Sequence, residues 1–149
     1  MKNKLNMCAK KLEGTGENIC RLENLRFKAY GLDDKFEGLT LYALGLTQGT
    51  MIPFGFYIND QLVAGCYVSA DEGTLNIEQL FVHPQLQNSG LRAGRLLLNF
   101  VLMQKEELEK YFHTKFVVSA LEPSTDKAKA LYEKMGYVQT EEGMKKTFL

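Results

Sequence analysis

Apolar positions along the chain change their period several times, and each change predicts an element. Leu5 to Ala9 reads as a short opening strand. Ile19, Leu22, Leu25 and Ala29 then recur at intervals of three and four, with Glu23, Arg26 and Lys28 between them, which predicts a helix over Glu17 to Tyr30. Thr15, in the turn Glu13 to Gly16, suits its N-terminal cap, and Gly31 suits its left-handed stop. A charged loop with Asp33, Asp34, Lys35 and Glu37 leads to a second short helix, Leu39 to Leu46, closed by Gly49. Pro53 to Ile58 and Leu62 to Ser69 are strand-like runs around Asn59-Asp60, a two-residue hairpin turn. Asp71-Glu72-Gly73 turns the chain again, and Thr74 to Val82 is the third strand of the meander.

His83-Pro84 ends that strand, because Pro84 has no N–H for a ladder and biases its predecessor away from helix. Gln87 to Gly94 is polar and glycine-bearing, and an apolar helical stripe begins at Leu96. A turn of this kind at a helix start gathers unpaired N–H groups, and the helix dipole adds to their attraction for an anion such as phosphate. An ordinary strand–helix connection looks the same. Leu97, Val101, Leu108 and Phe112 share one face of the helix, with KEELEK (Lys105 to Lys110) as its solvated end. Phe116 to Leu121 reads as a buried strand. Ala128, Leu131, Tyr132 and Met135 stripe a helix over Asp126 to Met135, capped by Gly136. Tyr137 to Thr140 and Met144 to Phe148 form a last hairpin around Glu141-Glu142-Gly143. The predicted order is β-α-α-β-β-β-α-β-α-β-β, a mixed α/β domain with one central sheet over residues 1–149.

Composition narrows the function more than the fold. The 149 residues are 45% hydrophobic and 24% charged, with 18 basic and 18 acidic side chains. A net charge of zero gives no footprint for nucleic acid. No apolar run approaches membrane-spanning length, and the basic N-terminus has no apolar segment of signal-peptide type after it. Three scattered cysteines, Cys8, Cys20 and Cys66, make no disulfide framework and fit a reducing cytoplasm. The histidines, His83 and His113, lack metal-ligand neighbours at useful spacing, so no metal is expected.

Two local patterns, in this order and about 50 residues apart, carry a family resemblance. LFVHPQLQNSGLRAGRLL is similar to the strand, V-x-P and Q/R-x-x-G-x-G/A turn of the GNAT acetyltransferase superfamily, and KALYEKMGY is similar to its A-x-x-x-Y-x-x-x-G-Y/F helix. The element order matches over nearly the whole chain. Arg92 departs from the pattern where Gly or Ala is usual, with Ala93 and Gly94 following, and Thr125 stands where many members have Asn. The resemblance implies acetyl-CoA as co-substrate. It places the pantetheine arm along the backbone of Leu80 and Val82, with an oxyanion-binding N–H near Leu80 or Phe81. The pyrophosphate would lie in the turn Gln87, Asn88, Ser89, Gly90, Leu91, Arg92, Ala93 and Gly94, with Arg95 adding charge and Thr125 nearby.

Acetyl transfer needs a held thioester, a deprotonated amine, a polarised carbonyl and a proton for the leaving thiolate. The resemblance makes Tyr132 the acid, although its spacing alone makes it a core residue. Glu78 is the candidate base, acting through water because a carboxylate near pKa 4.3 is a weak one; as a plain sheet-face residue it would pair with a lysine. Direct attack in a ternary complex leaves the cysteines without a nucleophilic role. The resemblance implies that the acceptor, a small-molecule or peptide amine, approaches from the first interhelix loop and the last hairpin. Both are acidic, through Asp33, Asp34 and Glu37 and through Glu141 and Glu142, which suits a cationic amine and equally suits loops that are simply charged and solvated. A homodimer is compatible with the sequence, and neither nucleic acid nor membrane is expected as a partner. The competing class is a non-catalytic acyl-CoA-binding sensor or interaction module on the same fold.

Overall fold

In the computed structural model, which describes residues 5–32, 40–87 and 92–148, the elements follow the predicted order with one addition. They are β1 (Met7–Lys11), α1 (Gly16–Ala29), α2 (Leu41–Gln48), β2 (Ile52–Ile58), β3 (Gln61–Asp71), β4 (Thr74–Val82), α3 (Ala93–Met103), α4 (Lys105–Phe112), β5 (Val118–Leu121), α5 (Asp126–Lys134), β6 (Val138–Thr140) and β7 (Gly143–Thr147). A single 3₁₀ turn, Pro84–Leu86, follows β4. The addition is a break at Gln104: the helix expected to run through Phe112 is two segments. The Gln104 N–H bonds back to Val101 at 3.0 Å, a tight i→i−3 turn that ends α3 before α4 begins. The opening strand begins at Met7 rather than Leu5, and α2 begins at Leu41 because Thr40 is its cap.

The strands form one sheet in the order β1-β2-β3-β4-β5-β7-β6. Only the β4–β5 pairing is parallel. The turn residues behave as their chemistry dictates. Asn59 and Asp60 both take positive φ, 50° and 66°, as a tight hairpin between twisted strands requires. Threonine caps three helices: Thr15, Thr40 and Thr125 accept from the amides of Asn18, Ala43 and Ala128.

The sheet has a core on each face. Helices α3, α4 and α5 cover one, where Phe54, Cys66, Leu75, Leu97 and Met144 are fully buried. On the other, α1 and α2 pack Leu22, Leu25 and Leu46 against Tyr67 and Phe81. Strand β4 serves both cores, and a bulge decides how. Opposite β3, Tyr67 pairs with Gln79 and Val68 with Ile77, so Glu78 is an extra residue. The bulge resets the alternation of side chains. Leu75 and Ile77 before it, and Leu80 and Val82 after it, all pack in the larger core. Gln79 and Phe81 thereby share the α1–α2 side, with Phe81 only 2% exposed.

Candidate active site

Strands β4 and β5 run together only as far as Ile77 and Leu121. Beyond them β5 ends, since Pro123 has no N–H to continue a ladder, and the chain turns into α5. The rest of β4 keeps β3 on one side and has no β5 partner on the other. Register settles which polar groups face the open side. The N–H of His83 donates to Val63 on β3 at 2.8 Å, and ladder groups alternate along a strand. Phe81, opposite Gly65, therefore points its amide at β3, while Leu80 and Val82 point theirs at the open edge. The amides of Leu80 and Val82, which the resemblance assigns to the cofactor arm, thus lie along the open edge. Phe81, also expected at the cofactor, does not present its amide to this edge: the amide faces β3, and the ring packs against Tyr67, with centroids 5.3 Å apart.

Two side chains already reach this edge. Tyr30, the C-cap of α1, donates its hydroxyl to the Leu80 carbonyl at 3.2 Å. Gln87 donates through Nε2 to the carbonyls of Val82 (3.0 Å) and Ala29 (3.2 Å), tying the end of β4 to the end of α1. Its side chain is thus a brace between elements. The N–H groups of Leu80 and Val82 face the same edge, so the edge fits an extended, amide-bearing chain laid beside it as an extra strand.

The cleft between the diverging strands has a volume of about 510 Å³. Tyr132 enters it from α5 and Tyr30 and Tyr42 from the α1–α2 side. Tyr132 is 6% exposed and packs edge-on to Tyr137, ring centroids 6.2 Å apart. Burial, with smaller contributions from Cys66, Tyr30 and Tyr137, pushes its hydroxyl well above the ordinary tyrosine range, so it keeps its proton at neutral pH. Among the described residues, three carboxylates, Glu78, Glu122 and Glu142, line the cleft, and no lysine or arginine does. Glu78 is exposed and accepts from Ser69 Oγ at 2.5 Å. It is not paired with lysine among the described residues. Glu142 shares its charge with Lys145 at 2.8 Å, and that contact holds it below the usual carboxylate value. Glu141 is exposed at the hairpin tip and does not line the cleft.

At the far end of β4, α3 begins without the cap that α1, α2 and α5 possess. Its N-cap, Arg92, adopts a left-handed conformation (φ 52°), and its own side chain makes no capping bond to the first-turn amides. Ala93 and Gly94 are buried, and a Cβ on Gly94 would lie 3.3 Å from Val82 Cγ2. Glycine thus lets the helix start close against β4, with its positive end beside the open edge. Arg92 is exposed and Arg95 half-buried. Asn88, Ser89, Gly90 and Leu91, expected in the same turn, lie outside the described residues, as do Asp33, Asp34 and Glu37. Thr125 spends its hydroxyl on capping α5. Lys127, two residues on, places Nζ 3.4 Å from the Gln87 carbonyl and so brings a cation to this end of the cleft.

Sequence reasoning missed Tyr30, Tyr42, Gln79 and Glu23. Tyr42 accepts from Gln79 Nε2 at 2.8 Å. Behind them Glu23 is fully buried and bonded to Arg26, Thr40 and Tyr67. The bulge did leave a signal, since apolar residues 75, 77, 80 and 82 are spaced two, three, two. Among the described residues no group of three or more His, Cys, Asp or Glu could hold a metal ion. No described helix is long and apolar enough to cross a membrane.

The sheet splays beside its bulged central strand, and α3 starts at the end of the opening. The Acetyltransferase (GNAT) domain family matches residues 53–139. The chain belongs to the GNAT acetyltransferase family. Its fold is similar to that of an acetyltransferase from Streptococcus agalactiae (TM-score 0.71, 16% identity, 95% of this chain and 98% of that one). It is also similar to the ribosomal-protein-S18-alanine N-acetyltransferase of Escherichia coli (TM-score 0.67, 18% identity, 95% and 94%). A third similar structure is the PaiA N-acetyltransferase of Thermoplasma acidophilum in complex with coenzyme A (TM-score 0.63, 14% identity, 96% and 99%). No curated protein matches the sequence.

Proposed function

We propose that the protein transfers an acetyl group from acetyl-CoA to a primary, cationic amine by direct attack in a ternary complex. The observation that carries this reading is the cleft itself. One wall is the open edge of β4, one end is a protonated phenol on Tyr132, and among the described residues the lining holds three carboxylates and no cation. The edge amides of Leu80 and Val82 would hold the pantetheine arm, and the start of α3 with Arg92, Arg95 and Lys127 would meet its phosphates. The acceptor's ammonium proton leaves first to solvent water, and the neutral amine nitrogen then attacks the thioester carbonyl and forms the C–N bond. The oxygen that gains charge is met by the Leu80 N–H. As the C–S bond breaks, Tyr132 gives its proton to the sulfur, and the surplus proton on nitrogen leaves through water to Glu78. Cys66 takes no part: it is fully buried, and burial pushes its thiol far above the range in which a thiolate forms.

The test is release of CoA thiol with a panel of amines: spermidine, an aminoglycoside, a lysine peptide, and amines bearing extra carboxylates. Cationic amines should react fastest, and their advantage should shrink as salt rises. Equal rates for cationic and anionic amines at low salt would remove the charge preference. Saturable acetyl-CoA binding with no thiol release for any amine would favour the acyl-CoA-binding module instead.

A further inference from the structure

The α1–α2 core contains a charge that the chemistry above does not use. Glu23 is 0% exposed, and a carboxylate out of water is costly unless its lone pairs are filled. Here four hydrogen bonds fill them: Arg26 Nε at 2.6 Å and Nη2 at 3.0 Å, Thr40 Oγ1 at 2.5 Å, and Tyr67 Oη at 2.8 Å. Burial works to raise the Glu23 pKa, but these bonds outweigh it and hold the group below its ordinary value, so it is ionised. Well-packed apolar side chains can fill such a site without loss of stability, so the charge calls for another reason.

The contacts of the pair lead to the cleft. The Arg26 guanidinium lies over the Tyr42 ring, 4.7 Å from its centroid. Thr40, fixed by Glu23, also caps the helix that carries Tyr42. The Tyr42 hydroxyl takes the Nε2 hydrogen of Gln79, the residue that follows the bulge. Tyr42 and Gln79 both line the cleft beside Glu78. A primary amide has one donor end and one acceptor end. With Nε2 committed to Tyr42, Gln79 keeps Oε1 as its acceptor, the end that suits an amine N–H. We infer that the buried Glu23–Arg26 pair is a positioning device for the acceptor, fixing through Tyr42 the amide of Gln79 that orients the incoming amine. The inference rests on the cleft being an amine-acceptor site.

The test compares Arg26→Lys, which keeps the charge but loses the planar fork and stack, with Glu23→Gln and Tyr42→Phe. Two readouts are taken. The first is the pair of KM values, using the fastest amine of the panel. The amine KM should rise about tenfold in each variant while the acetyl-CoA KM stays within about twofold. The second needs no acceptor: the side-chain amide resonances of Gln79, identified by their loss in Gln79→Ala. They should shift in Arg26→Lys and Glu23→Gln as well as in Tyr42→Phe. Should Glu23→Gln fail to fold, Arg26→Lys and Tyr42→Phe still decide the matter. Gln79 resonances unmoved in Arg26→Lys, or both KM values rising together, would overturn the inference. A wild-type protein that acetylates no amine would instead remove the acetyltransferase reading, and the resonances would still judge the positioning chain.

Discussion

Residues Thr74–Ile77 of β4 are paired on both sides, with β3 and β5, whereas Leu80 and Val82 are paired with β3 alone. Both halves are apolar and strand-like, and both bury side chains in the larger core. What differs is the fate of the second row of backbone groups. In the first half a neighbouring strand satisfies them. In the second half the row is met by side chains from afar, Tyr30 on the Leu80 carbonyl and Gln87 on that of Val82, with Tyr42 holding Gln79 beside them. A bulge and a proline produce the difference. The closed half is scaffold, and the open half is a surface that lacks a strand and so can accept one.

That contrast can be broken from below, at its support. Glu23→Ala would leave Arg26 as an unpaired, mostly buried charge, and denaturant unfolding should show a loss of ~3–5 kcal/mol. The same residue gives a pH signature. Its folded pKa is depressed, so its stabilisation is complete above the ordinary carboxylate value of 4.5 and is lost as pH falls through the folded value. In Glu23→Gln the acid limb of the stability curve should flatten; an unchanged limb would show that other carboxylates govern it.

Next in size is Tyr132, the proposed proton donor of the open half. Tyr132→Phe keeps the ring and should lower kcat by about 100-fold, with acetyl-CoA affinity within about twofold. An unaltered kcat would return Tyr132 to a purely packing role beside Tyr137. A smaller effect tests whether a side chain stands in for the missing strand. Tyr30→Phe releases the Leu80 carbonyl, and acetyl-CoA should bind about threefold tighter, the scale of one net hydrogen bond. Weaker binding would mean that the Tyr30 hydroxyl serves the cofactor rather than competing with it. At the lower limit, Cys66→Ser should turn over at the wild-type rate in whatever fraction folds.

Much of this organisation is legible in the chain. Thr15, Asn59-Asp60, Gly136 and the limits of β4 carry local chemistry that dictates local backbone, and each lies where that chemistry puts it. The break at Gln104 escapes a reading of this kind because neither proline nor glycine marks it. Glu23 escapes for a different reason. Helical spacing places it on the flank of the Ile19–Leu22–Leu25 stripe, but its burial depends on Thr40 and Tyr67, which arrive from 17 and 44 residues away. Tyr30 and Tyr42 likewise read as helix-end residues until the sheet brings β4 between them and α5. Periodicity tells which face is covered, and only the tertiary fold supplies the partner.

The account stands or falls on the edge amides of the open half of β4, and proline at Leu80 addresses them directly. Leu80 makes no ladder bond to β3 through its N–H, so the substitution removes an edge donor and leaves the β3–β4 ladder intact. Acetyl-CoA would be titrated calorimetrically into the wild-type protein and into Leu80→Pro, with acetyl-pantetheine as a phosphate-free control. Saturable binding to the wild type, weaker binding of the control, and a loss of about tenfold or more in Leu80→Pro at unchanged fold are the expected results. Equal affinity in the two proteins, or no binding of acetyl-CoA to the wild type, would contradict the account.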